Sequence, residues 1–468
     1  MHPPSTDYLV VGGGATGLAF ADTLIAETSD LTVTIADLRG RPGGHWNDAY
    51  PFVALHQPSA FYGVNSTPLG RGTLDTQGPN AGLFELASGV EVVSYFDTVL
   101  RQKLLASGRV HYLPMTEHLG GHRLRSVLTG EAFDIEVRRR VVDARYQAPS
   151  IPATHRRKFE VAPGVRIAQP RELAQLGLAQ GEWPRHFAIL GAGKTAMDVG
   201  VWLLGAGVPA DRITWVMPRD SWLMNRRTTQ PGMAFFHDAI GGQATLMRAC
   251  ADASSADDLF LRLERAGNMF RIAPEVTPRM FHFATISQGE VDLLRRITDT
   301  VRLGHVQAVE PGGLRLAGGL RELPPGTLHI DCTASAVEPR PLVPVFQPGL
   351  IVPQLVRAPL PSFSAAFIAH IEALGGDDER KNALCQPVPF PDGPGAYPRT
   401  LLANLRNEGA WSRDERLREW LVASRLDGFR KLVAAVRPDE PDKMRVLGAI
   451  RDALPAALAN LQRLAAAA

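Results

Sequence analysis

Tyr8-Leu-Val-Val11 runs directly into Gly12-Gly-Gly-Ala-Thr-Gly17 and then Leu18-Ala-Phe-Ala-Asp-Thr-Leu-Ile25, and this stretch decides the fold. Four apolar residues in a row read as a buried parallel strand. The residues after the glycines carry apolar side chains at helical spacing. A G-x-G-x-x-G between a strand and a helix is the setting in which that motif signals a dinucleotide site. Gly12 permits the tight turn, Gly14 lets the backbone approach a pyrophosphate, and Gly17 lets helix and strand pack closely. The helix N-terminus adds free N–H groups and a positive dipole end. A second strand, Leu31-Thr-Val-Thr-Ile35, ends just before Asp37, which lies 20 residues after Gly17, where an acid bonds ribose hydroxyls. The competing reading is a glycine-rich loop with an incidental acid.

The pattern recurs. Phe187-Ala-Ile-Leu190 is another apolar strand, followed by Gly191-Ala-Gly-Lys-Thr-Ala196 and an apolar helix over 197–204. Gly191 and Gly193 are the two glycines of the motif, Ala196 takes the close-packing position, and Lys194 and Thr195 belong to the same loop. A phosphate loop of the Walker type needs a glycine five residues before Gly193, and position 188 is Ala, so that reading fails. The next strand, Ile213-Thr-Trp-Val216, is followed by Met217-Pro218-Arg219 rather than by an acid. An arginine there accommodates a 2′-phosphate, which favours NADPH over NADH, and Arg226 and Arg227 could add charge. Arg219 also reads as a surface residue beside Asp220.

At 468 residues the chain is too long for one core, so two or three domains are expected. A net charge of +2 gives no reason to expect a nucleic-acid or membrane partner. The three cysteines, Cys250, Cys332 and Cys385, form no C-x-x-C pair, which removes the usual disulfide-reductase branch of two-dinucleotide flavoproteins. Free thiols suit a reducing cytoplasm, and neither a signal peptide nor a run of apolar residues long enough to span a membrane is read. The histidines are scattered with no metal-ligand spacing, so no metal is expected.

Between the two glycine loops lie Arg41-Pro-Gly-Gly-His-Trp46, Tyr50-Pro51 and Leu55-His-Gln-Pro-Ser-Ala-Phe-Tyr-Gly63. An Arg-x-Gly-Gly-x-Trp just after the first acid resembles the flavin-containing and Baeyer–Villiger monooxygenases over roughly residues 5–360. The resemblance implies FAD in the first unit and NADPH in an inserted second one, with Gly43, Gly44 and Trp46 along the FAD. Val141-Val-Asp-Ala-Arg-Tyr146 and His329-Ile-Asp-Cys-Thr-Ala334 look like the strand ends where such proteins cross between domains, which implies Asp331 and Thr333 near the FAD. The chain departs from the families where a Phe-x-Gly-x-x-x-His fingerprint is expected. Phe159 is kept, but Val161 and Val165 replace the glycine and histidine. The Asp-Arg context of Baeyer–Villiger enzymes is also missing, since Phe52 follows Tyr50-Pro51. It therefore looks like a divergent branch.

The implied reaction is oxygenation of a small molecule with O2 through a flavin C4a-(hydro)peroxide, where the protein excludes water and orients the substrate. Hydrogen-bond donors near the flavin edge would stabilise it. His45 and Gln57 are the first candidates, with Asn47 third; Trp46, Asp48, His56 and Tyr62 belong to the same cluster. Each also reads as loop packing. An NAD(P)H-dependent reductase or oxidase without oxygen insertion, and a non-catalytic FAD-binding module, remain as alternatives.

The expected fold is α/β with two Rossmann-type units, a helical insertion and a helical tail. The FAD unit spans 1–182 and 326–400, the NAD(P)H unit 183–325 with an insertion at about 228–300, and the tail 401–468. Ala256-Asp-Asp-Leu-Phe-Leu-Arg-Leu-Glu-Arg265 and Glu290-Val-Asp-Leu-Leu-Arg-Arg-Ile297 carry helical apolar faces within the insertion, which could cover the active site. Ser364-Ala-Ala-Phe-Ile-Ala-His-Ile371 reads as a helix starting near the flavin pyrimidine, and 376–400 as a polar, proline-rich loop. Oligomeric state is left open, a homo-oligomer included.

Overall fold

The computed structural model describes residues 4–147, 149–178, 183–334 and 340–467. Ser5–Val11 is the central strand of a six-stranded sheet. It pairs in parallel with Val33–Ala36 on one side and Glu136–Asp143 on the other; Val110–Leu113 extends the first side and Leu350–Ile351, then Phe346–Gln347, the second. The helix Ala15–Glu27 follows the first strand and packs with Pro361–Leu374 over one face. The latter helix is buried almost throughout, with Phe363, Phe367 and Ile371 in the core, so the chain returns to the first unit after leaving it.

The second sheet has five parallel strands in the order Thr300–Val301, Ile213–Val216, Phe187–Leu190, Leu328–Asp331, Ile167–Ala168. The strands Phe187–Leu190, Ile213–Val216 and Leu328–Asp331 are buried at every position, as a sheet covered on both faces requires. This membership shifts the expected boundaries at 182/183 and 325/326. Leu328–Asp331 pairs with Phe187–Leu190, and Ile167–Ala168 pairs in turn with Leu328–Asp331 at the sheet edge, so both belong to the second sheet. The mixed α/β architecture with two Rossmann units is as the sequence implies.

Parts of the expected insertion and of the expected tail share one core. Phe236–Asp252 and Ala256–Arg265 share a core with Tyr397–Trp411 and Pro441–Ala466, through Leu259, Phe260, Leu263, Tyr397, Leu401 and Leu461. Asn460 donates to the carbonyls of Cys250 (2.8 Å) and Ala253 (2.7 Å), fixing the register. The expected loop 376–400 contains a helix, Asp378–Leu384, because Asp377 caps it by accepting from the Arg380 amide. Among the described residues no helix is long and apolar enough to cross a membrane.

Candidate functional site

Both glycine loops are built alike. Gly12 (φ +106°) and Gly191 (φ +124°) take the left-handed turn, and a Cβ on Gly191 would lie 2.5 Å from the carbonyl oxygen of Cys332. Gly14 and Gly193 are the N-caps of Ala15–Glu27 and Lys194–Gly205, and neither helix start receives a side-chain cap. Two uncapped helix N-termini behind glycine turns suit two pyrophosphates. A Cβ on Gly193 would meet nothing within 4 Å, so space is open in front of the second helix. Gly14 is different: a Cβ there would lie 3.5 Å from the Gly44 Cα, and the Gly43 amide donates to the Gly13 carbonyl at 2.9 Å. The tighter constraint is on Gly44: a Cβ there would lie 3.1 Å from the Gly14 Cα, and its φ of +57°, like the +113° of Gly43, is one that glycine adopts readily. Gly17 packs against Gly12, the close approach expected of it.

Asp37 follows the second strand, is buried, and sits against Gly13. It accepts from the Arg39 amide (3.0 Å) and the Tyr112 hydroxyl (3.3 Å). Burial pushes its pKa up. The carboxylate is thus held beside the first glycine loop, where a ribose would lie.

The segment after the Gly43-Gly44 turn forms one wall of a cavity of about 670 Å³. His45, Trp46, His56, Gln57 and Tyr62 line it, together with Thr195 of the second glycine loop, so both units face the same space. The Trp46 indole donates to the Tyr62 hydroxyl at 2.8 Å, and the rings meet edge-on. His45 and His56 open onto the cavity, and neither ring has a hydrogen-bond partner among the described residues. Burial lowers both to about 4, helped by Arg39 at His45 and by Lys194 at His56, so both are neutral near pH 7. Gln57 donates to the Phe61 carbonyl over 3.4 Å, a long contact. Pro359 and Pro361, at the start of the Pro361–Leu374 helix, line the cavity too, as do Val388, Phe390 and Asp392 from the loop after Asp378–Leu384.

Several expected residues stand elsewhere. Asn47 does not line the cavity: its amide donates to the carbonyls of Pro42 and Gly44, both at 3.1 Å, so it stitches the glycine turn. Asp331 and Thr333 lie beside the second glycine loop rather than in the first unit, because their strand pairs with Phe187–Leu190. Asp331 accepts from Arg157 (3.1 Å) and from the Thr333 hydroxyl (2.6 Å). Lys194 turns its ammonium onto Asp198 and, at 3.6 Å, Glu290. Arg226 is wholly buried, with Glu290 at 2.6 Å, and has no freedom to meet a cofactor phosphate; Arg227 pairs with Asp238 at 2.8 Å. Arg219 is exposed after the Ile213–Val216 strand and makes no ion pair among the described residues.

Sequence reading missed two features. The first is the buried network Tyr50–Asp198–Lys194–Glu290–Arg226, which joins the cavity wall to the second helix. Ser287-Gln-Gly-Glu290 is its legible signal, a capping box that fixes Glu290. The second is His282, which lines the cavity within the influence of Arg219 and Asp392. Its neighbour Phe283 has φ +56°, a conformation bulky residues rarely adopt and which no spacing rule reveals.

Two glycine-loop units facing one cavity define a protein of the two-dinucleotide class. A family model described as an NAD(P)-binding Rossmann-like domain matches residues 10–64. Proteins described as uncharacterized from Mycobacterium tuberculosis and Mycobacterium bovis are 47% identical over 441 residues, covering 94% of this chain and 80% of theirs, and the chain belongs to their family. Among solved structures, a flavin-containing monooxygenase from Stenotrophomonas maltophilia is 16% identical, covering 82% of this chain and 100% of that one, with a TM-score of 0.43. A polycyclic ketone monooxygenase from Thermothelomyces thermophila is 13% identical, covering 99% and 88%, with a TM-score of 0.48.

Proposed function

We propose that this chain is an FAD-dependent, NADPH-using monooxygenase acting on a small molecule. The observation that carries the reading is the shared cavity: its walls come from the segment that follows the first nucleotide strand and from the opening of the second nucleotide helix. Two dinucleotides bound at the two glycine loops would bring their redox ends to that space. Bound FAD would supply hydride acceptance from NADPH and reaction with O2.

The chain's own residues have definable parts in this reading. Asp37 accepts from ribose hydroxyls, and the uncapped starts of Ala15–Glu27 and Lys194–Gly205 receive the pyrophosphates. Arg219 meets the 2′-phosphate. Trp46 and Tyr62 form a rigid aromatic wall that keeps water out, and His45 and Gln57 offer hydrogen bonds toward oxygen at the flavin edge.

The test has two stages. The purified protein is expected to carry FAD and to bleach on anaerobic NADPH addition. It is then expected to incorporate one atom of labelled O2 into an amine, thioether or ketone from a panel. Bleaching followed only by H2O2 release, with every substrate, would reduce the reading to an oxidase or reductase. A protein that neither takes up FAD nor consumes NADPH would end it.

A further inference from the structure

The expected tail reaches back to the wall of the cavity. Residues 424–427 form the turn between the helices Glu415–Ala423 and Gly428–Ala434, and this turn lies on the loop 59–67. Arg425 forks over that loop. Its Nε donates to the Thr67 carbonyl at 3.0 Å, and its two terminal nitrogens donate to the carbonyls of Ala60 and Tyr62, both at 2.5 Å. Ser424 donates its hydroxyl to the Asn65 side-chain oxygen at 2.8 Å, and a Cβ on Gly428 would lie 1.6 Å from the Phe61 ring, so the contact is close. The first unit holds the two ends of the loop. Ser59 donates to the Glu85 carbonyl at 3.0 Å, the Tyr95 hydroxyl accepts from the Val64 amide at 2.8 Å, and Asp22 accepts from the Ser66 amide at 2.9 Å. The carbonyls of Ala60 and Tyr62, between those ends, have no donor other than Arg425 among the described residues. Arg425 has no carboxylate within ion-pair distance among them, and burial lowers its pKa. A half-buried guanidinium without a counter-ion is costly, and the planar fork on three carbonyls is what offsets it.

Tyr62 is the residue that this central stretch presents to the cavity. Its ring direction is set by its own neighbours: the hydroxyl accepts from the Trp46 indole at 2.8 Å, and the ring meets Phe96 edge-on with centroids 6.1 Å apart. Arg425 sets something else, the place of the main chain that carries the ring. A hydrogen bond weakens steeply as its distance and angle leave the optimum, so a main chain free to drift here would open the Trp46–Tyr62 contact. We infer that Arg425 is a positioning residue for the cavity: by fixing the main chain at residues 60–62 it keeps the Tyr62 hydroxyl on the Trp46 indole and that wall closed to water. The inference rests on the reading that FAD lies along this wall. It makes the C-terminal helical region part of the site, a role that no motif announces.

The experiment measures solvent access to the flavin by iodide quenching of its emission in the FAD-loaded protein, together with the rate of H2O2 release in air with NADPH and no substrate. The iodide readout stands whichever reaction the flavin supports. Arg425→Lys keeps the charge and loses the planar fork. Tyr62→Phe keeps the ring and loses the acceptor for Trp46. Each variant is expected to raise the quenching constant and the H2O2 rate on the order of three- to tenfold, within the span of coupling between groups in contact. The double variant is expected to match the larger single effect, because both changes open the same contact. Single effects that multiply in the double variant would overturn the inference. So would an Arg425→Lys protein with a lowered melting midpoint but the iodide access of wild type, which is the behaviour of a merely structural residue. If Arg425→Lys does not fold, Ser424→Ala, which trims the same turn, decides: a smaller rise in quenching supports the inference, and access equal to wild type overturns it. A wild type that takes up no FAD would end the reading and the inference together, whereas FAD-loaded variants indistinguishable from wild type would reject Arg425 alone.

Discussion

Tyr50 donates its hydroxyl to Asp198 across 2.7 Å, joining the loop that follows the first glycine turn to the first turns of the second dinucleotide helix. Asp198 is shared with Lys194, and Lys194 leans toward Glu290, so the contact is one end of a buried chain of charges between the two units. Burial raises the Tyr50 pKa well above its ordinary value, and Asp198 adds to the rise, so the phenol stays protonated and remains the donor. Tyr50→Phe removes the hydroxyl and keeps the ring. It is expected to cost about 1.5–3 kcal/mol, because the acceptor is charged and enclosed. A melting midpoint equal to wild type would show that the two units do not lean on this contact.

Glu290 and Arg226 should dominate the acid stability of the same junction. Burial alone would raise the Glu290 pKa, but Lys194, Arg226 and the Ser287 amide outweigh it and hold the group at about 2. A folded pKa below the unfolded value means the stabilisation is complete above about pH 4.5 and fades as the pH falls toward 2. Glu290→Gln leaves Arg226 buried without its carboxylate, an expected loss of about 3–5 kcal/mol near pH 7. The gap between wild type and variant should narrow through pH 4.5 to 2 in melts recorded across that range. A gap that stays constant with pH would assign the pair no linkage.

How much of this was legible in the sequence depends on the range of the interaction. The glycine loops, Asp37 and the strands beside them follow from local rules, since turn geometry and strand burial are set by neighbouring residues. The sheet assignment of Leu328–Asp331 was not legible, because an apolar strand ending in Asp fits either Rossmann unit and only pairing with Phe187–Leu190 decides. Asn47 read as a cavity residue from its place between Trp46 and Tyr50. A short polar side chain can instead satisfy the carbonyls of its own turn, and here it does. Arg226 read as added charge for a 2′-phosphate, and only the contacts of distant Asn80 and Glu290 commit it elsewhere. The helical core shared by parts of the insertion and the tail joins segments some two hundred residues apart, beyond any periodicity.

The burial of Arg226 sharpens the prediction for cofactor choice. With Arg226 committed to Glu290 and Arg227 paired with Asp238, Arg219 is left to meet a 2′-phosphate after the Ile213–Val216 strand. Wild type is expected to reduce its flavin faster with NADPH than with NADH. Arg219→Ala should lose about 1.5–3 kcal/mol of that preference, roughly 10- to 100-fold in the ratio of kcat/KM values, almost all from the NADPH arm. Stopped-flow reduction with both cofactors measures it. Equal efficiency in wild type, or an unaltered ratio in the variant, would move the phosphate away from Arg219.

His45 and Gln57 remain the candidates for controlling oxygen at the flavin edge, and the cavity gives each a distinct position. His45 stands beside Trp46 with its ring nitrogens free, and burial, aided by Arg39, keeps its pKa at about 4. It is then neutral across the range in which activity would be assayed, and its N–H donates without titrating. Coupling of NADPH use to product should accordingly be flat between about pH 6 and 8 as far as His45 is concerned. Gln57 makes only the long contact to Phe61, so its amide is cheaply redirected toward a ligand. His45→Ala and Gln57→Ala are both expected to keep FAD content and NADPH-driven bleaching while shifting the product from oxygenated substrate to H2O2. Loss of one preorganised donor in an enclosed site predicts a fall in coupling on the order of tenfold or more. Bleaching is the control: a variant that reduces normally but leaks H2O2 has lost the donor and not the fold. If both variants couple as wild type does, His45 and Gln57 serve only to pack the loop, and oxygen must be managed by other residues that line the cavity, His282 among them.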